Sequence, residues 1–63
     1  MIKKNDRVKY IFSGSDGKPL YEVVGTVEKV YKHSSGEYRV VMKADKGQKI
    51  RECEAHISVF EPI

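Results

Sequence analysis

The chain has 63 residues, with 12 Lys and Arg against nine Asp and Glu, a formal net charge of +3 and 40% hydrophobic content. A chain of this length makes one domain, residues 1–63, and buries only ~60% of the surface its unfolded form exposes, which leaves little room for a deep active-site cleft. The single cysteine, Cys53, rules out an intrachain disulfide, and no apolar run approaches the ~18 residues of a membrane span.

The N-terminal Met1-Ile2-Lys3-Lys4-Asn5-Asp6 has lysines but no apolar core of a signal peptide behind them. With the lone cysteine, this predicts a cytoplasmic, unprocessed protein. Asp6–Phe12 reads as the first strand. Val8, Tyr10 and Phe12 share one face, and Arg7, Lys9 and Ile11 the other. Ser13–Leu20 holds two glycines, a proline and an aspartate, and reads as a loop, long for a hairpin.

Tyr21–Lys32 reads as a long second strand. Val27 and Val30 lie three apart and break strict alternation; a bulge or sharp bend near Glu28-Lys29 lets both point inward. Gly25 suits a point where the strand bends or another backbone crosses closely. Lys32–Gly36 is a tight polar turn, and Glu37–Lys43 is the third strand, with Tyr38, Val40 and Met42 on one face. Ala44–Gln48 reads as a turn and Lys49–Cys53 as a short fourth strand. Glu54–Ser58 suits a single 3₁₀ turn, and Val59–Ile63 a last strand with Pro62 at its edge. The fold class is therefore all-β, and Val8, Tyr10, Val27, Val40 and Ile57 are expected to meet in one interior, with Tyr38 and Phe60 as further core residues.

Five short strands and a 3₁₀ turn before the last one form a pattern that resembles the SH3-like small barrels. Asp6-Arg7-Val8, Gly25-Thr26-Val27 and Ile57 followed by Phe60-Glu61-Pro62 are similar to Tudor- and KOW-type members. The resemblance implies a five-stranded barrel and a binding role, with RNA, ribosomal and polymerase partners known among the KOW-type members.

Catalytic and metal motifs are weak. His33 sits in a turn beside Ser34 and Ser35, with no carboxylate placed to orient its ring. Cys53 and His56 fall short of the three or four ligands of a zinc site. The sequence therefore predicts no enzyme, no cofactor and no metal. Residues 1–32 hold seven Lys and Arg against four acids, and residues 33–63 five of each. Lys3, Lys4, Arg7 and Lys9, with Arg39 and Lys43 from the third strand, form the predicted nucleic-acid-binding face. Tyr21 and Tyr31, at the two ends of the second strand, are candidates for the rim of an aromatic cage. The alternative is a protein-interaction module or small accessory subunit, docking through a strand edge or the Ser13–Leu20 loop. Either way the protein is expected to act as a monomer or weak oligomer.

Overall fold

The computed structural model describes residues Met1–Ile63. Its elements are β1 (Arg7–Ser13), β2 (Pro19–Lys32), β3 (Tyr38–Ala44), β4 (Glu52–His56), a 3₁₀ turn η1 (Ile57–Val59) and β5 (Phe60–Pro62). The five strands form one antiparallel sheet in the order β4-β3-β2-β1-β5. No helix is long and apolar enough to cross a membrane. The sheet ends at β4 and β5, which are joined through η1 rather than by a ladder, so it remains open.

One face of the sheet supplies the interior. Val8, Val23, Val27, Val40 and Met42 are fully buried, and Ile2 and Phe60 join them in the central cluster. Each such side chain contributes roughly 1.5–3 kcal/mol by leaving water. Tyr10 and Ile57 pack against this cluster half-buried. Tyr38 does not belong to it and is 42% exposed. It pairs with Lys32 at the tip of the β2–β3 hairpin, where β4, whose ladder begins at Arg39, offers no neighbour.

Of the bulge and the bend that the valine spacing allows near Glu28-Lys29, the strand takes the bulge. Val27 pairs with Met42 and Lys29 with Val41, leaving Glu28 extra and exposed, and Val30 then pairs with Val40 on the core side. The first connection differs from its reading as a long loop. β1 runs on to Ser13 and β2 starts at Pro19, so only Gly14–Lys18 turn. Gly14 N–H donates to the Lys18 carbonyl at 2.9 Å, Gly17 N–H donates back to the Gly14 carbonyl at 2.9 Å, and Gly17 takes φ +80°. The fourth strand also starts later than expected. Glu54, Ala55 and His56 complete the ladder against Val41, Val40 and Arg39 instead of forming the 3₁₀ turn. That turn begins at Ile57, with His56 as its N-cap: His56 Nδ1 accepts from Ser58 N–H at 3.1 Å.

Gly25 stands against β3. A Cβ at this position would lie 2.3 Å from the Lys43 carbonyl oxygen and 2.9 Å from Ala44 Cα, both backbone atoms that cannot step aside. Gly25→Ala therefore forces β2 and β3 apart and is expected to cost about 2–3 kcal/mol in urea denaturation. His56→Ala removes only the η1 cap and should cost about 1 kcal/mol in the same assay.

Candidate nucleic-acid interface

The outer face of the sheet carries most of the cations expected to bind. Arg7 and Lys43 lie in one cross-strand row, both opposite Thr26, and Arg39 lies further along β3 opposite Tyr31. The structure thus places Arg7, Lys9, Arg39 and Lys43 on one side of the sheet. Three of them are already matched with acids. Arg7 forks onto Asp45, with Nη1 to Oδ1 at 2.7 Å and Nη2 to Oδ2 at 2.6 Å, and Nη1 also donates to Thr26 Oγ1 at 2.9 Å. Lys9 Nζ lies 3.5 Å from Glu61, and Arg39 Nε 3.4 Å from Glu54. Lys43 is exposed with no carboxylate within ion-pair distance. Lys3 and Lys4 are exposed in the turn before β1, where Lys3 N–H donates to Asp6 Oδ2 at 3.0 Å.

The two tyrosines expected at one rim lie on opposite faces. Tyr21 faces inward and stacks on Phe12, with ring centroids 4.9 Å apart and an interplanar angle of 20°. Tyr31 faces outward, and its hydroxyl donates to Glu54 Oε2 at 2.6 Å while Lys29 Nζ stands 5.3 Å over its ring. They do not converge on a common ligand.

The strongest uncompensated charge lies elsewhere, in Lys43–Arg51 (KADKGQKIR). These nine residues hold four cations and one acid, a net +3, and the remaining 54 residues carry eight of each sign. Lys43, Lys46, Lys49 and Arg51 are exposed and unpaired, while the one acid, Asp45, is occupied by Arg7. Lys43, Lys46 and Arg51 line a shallow cleft of about 380 Å³ that also includes Asp45, Gln48 and Ile50. Lys49 Nζ stands 5.0 Å over the Tyr21 ring.

This segment is held in place. Asp45 N–H donates to the Val24 carbonyl at 2.9 Å, and Val24 N–H donates to Gln48 Oε1 at 3.3 Å. The Gln48 side chain thereby stands in for a strand partner where β3 has ended. Ile50 packs against the core from the same loop. Counting charge by halves of the chain hides this patch, because Glu37, Glu52, Glu54 and Glu61 flank it in sequence and cancel it in the sum. A nine-residue window would have revealed it.

Both histidines serve turns. His33 Nδ1 accepts from Ser35 N–H at 3.3 Å in the β2–β3 turn, and His56 caps η1. No three His, Cys, Asp or Glu side chains gather as a metal site. Burial, then the Glu52 charge, pushes the Cys53 thiol above its ordinary value, so it is a weak nucleophile at neutral pH.

The chain matches no family model, no curated protein and no solved structure.

The ion pairs have a pH signature. The hydrogen bond from Arg7 holds the Asp45 carboxyl below the usual range, and that from Tyr31, followed by that from Arg39, does the same for Glu54. A depressed carboxyl contributes stability that is present above its unfolded value near pH ~4 and is lost as pH falls through the folded value. The Tyr31 hydroxyl is raised by its bond to Glu54, so its contribution is present below about pH 10 and lost above it. Urea midpoints measured from about pH 6 down to about pH 2 should fall, and Asp45→Asn should flatten part of that fall while leaving the alkaline limb unchanged.

Proposed function

We propose that this protein is a non-enzymatic nucleic-acid-binding module of the SH3-like small-barrel type, working in the cytoplasm. The strand order β4-β3-β2-β1-β5, with a 3₁₀ turn carrying the chain from one sheet edge to the other, supports the architectural part. Closure of the sheet across η1 and kinship with Tudor- or KOW-type members belong to this proposal. The unpaired thiol of Cys53 suits a reducing compartment.

One observation carries the functional part: the chain's whole formal excess of positive charge sits on Lys43 at the end of β3 and on the pinned loop that follows, exposed and without carboxylate partners in ion-pair contact. Phosphate contacts need cations that do not have to leave an acid first. Lys43, Lys46, Lys49 and Arg51 meet that condition, as do Lys3 and Lys4. Arg7, Lys9 and Arg39 act as the frame, orienting the loop and the outer face.

Titration of labelled oligonucleotides at about 50 mM and about 200 mM salt tests this. Four phosphate contacts give a slope of log K on log salt near −3.6 for duplex and near −2.8 for single strands, from ~0.9 and ~0.7 per contact. Alanine at Lys43, Lys46, Lys49 and Arg51 together should abolish most of that slope. Alanine at Lys3 and Lys4 should lower it by no more than two contacts' worth. Absence of binding to any oligonucleotide at the lower salt rejects the reading.

A protein-interaction role has one observation in its favour. Met1, Ile2, Asp6, Ile57 and Pro62 line an open cleft of about 440 Å³ near the exposed Val59 and Ile63. Under this alternative the module is an accessory subunit docked through its terminal end, and its oligonucleotide binding is absent.

A further inference from the structure

The aromatic side chains of the inner face form a row that leads out of the core to the basic loop. Phe60 meets Tyr10 edge-on at 5.3 Å, Tyr10 meets Phe12 at 4.5 Å, and Phe12 stacks on Tyr21 at 4.9 Å. Phe60 is buried, while Tyr10, Phe12 and Tyr21 are half-buried. Tyr21 is therefore the outer end of a supported stack. Its ring is held by Phe12 on one side, and the cation over it is the ammonium of Lys49 on a flexible stem.

An aromatic ring backed by a second ring, beside unpaired cations, has the chemistry of a platform for an unpaired base. Base-on-aromatic stacking contributes without regard to sequence, and the Phe12 ring behind Tyr21 limits the freedom the platform has left to lose. A duplex keeps its base faces inside the helix, so a ring on a protein surface reaches them only in a single strand. The Lys49 ammonium is attracted to the Tyr21 ring as a cation to a π-face, and a phosphate is its stronger partner. A base arriving on the ring brings its own phosphate within reach of that ammonium.

We propose that the surface prefers single-stranded nucleic acid, with one base stacked on Tyr21 and the adjoining phosphates held by Lys49, Lys46 and Arg51. This rests on the nucleic-acid reading above and adds strandedness and the residue that sets it.

The test uses the full chain and three probes of about ten nucleotides: oligothymidine, an abasic strand with the same phosphates, and a duplex. Oligothymidine should bind roughly 5- to 100-fold more tightly than the abasic strand. Tyr21→Leu, which keeps apolar packing on Phe12, should erase that advantage. Tyr21→Phe should keep it. Lys46→Ala with Arg51→Ala should weaken oligothymidine and the abasic strand by the same factor. In the unmodified chain, the Tyr21 ring protons should shift upfield on addition of oligothymidine and stay in place with the abasic strand, which reads the stacking even if a variant is poorly folded. Equal affinity for oligothymidine and the abasic strand, tighter binding of the duplex, or unmoved Tyr21 ring resonances at saturation would overturn the stacking proposal while leaving nucleic-acid binding intact. Failure of all three probes to bind at low salt removes the underlying reading, and this one with it.

Discussion

The Arg7–Asp45 fork ties the first strand to the loop that follows the third. Without it, the segment Lys43–Arg51, the end of β3 and this loop, would still carry +3, but its single acid would sit among four cations and draw on them. With it, Asp45 is engaged from outside the segment by two charge-assisted bonds, and the Thr26 hydroxyl accepts a further bond from the guanidinium. The same loop is tied to Val24 by a backbone bond and by the Gln48 amide, and to the core by Ile50. Position and charge are thus set by the same few contacts. A loop fixed in this way has its backbone already ordered, while the exposed lysine and arginine stems keep their side-chain freedom.

The outer face and the loop differ in what they offer an anion. A surface ion pair contributes little to stability, usually below ~1 kcal/mol, yet it occupies both partners. A phosphate approaching Arg39 meets Glu54 beside it, already shared with Tyr31. A phosphate approaching Lys46 or Arg51 meets no neighbouring carboxylate in ion-pair contact. Local imbalance therefore matters more than the number of cations on a face. At physiological salt the screening length is about 8 Å, so the fields of matched pairs elsewhere on the molecule fade before they reach the loop.

The fold was legible in the sequence wherever a residue had only one physically sensible environment. Val8, Val27, Val40 and Phe60 had to be inside, and they are. Gly25 suited either a bend or a close backbone approach, and the Lys43 carbonyl supplies the close approach. Element ends were harder to read. Pro19 and Leu20 looked like loop residues because of their neighbours, yet the tight turn at Gly14–Lys18 allows them to pair. Tyr38 kept the inward phase of its strand but lay beyond the last strand able to cover it. The candidate site was less legible still. Alternation showed which cations share a face, but it carries no information on which acid each one meets. Asp45 is 38 residues from Arg7, and only the folded sheet brings them together.

The bulge at Glu28 explains both a packing choice and the separation of the two tyrosines. Counting from Tyr21 in steps of two gives Val23, Gly25 and Val27 inward, and then Lys29 and Tyr31. An unbroken strand would have pointed Lys29 at the core, and an unpaired buried ammonium costs several kcal/mol. One extra residue shifts the phase, so Val30 enters the interior and Lys29 turns to solvent. Tyr31 must turn outward with it, and its hydroxyl then meets Glu54 rather than water alone. The need to keep one lysine out of a small core thus leaves Tyr21 as the tyrosine of β2 that joins the inner row of rings. An aromatic cage needs rings that converge. A strand that changes phase between two tyrosines gives instead one ring at the end of a stack and another on the opposite face of the sheet.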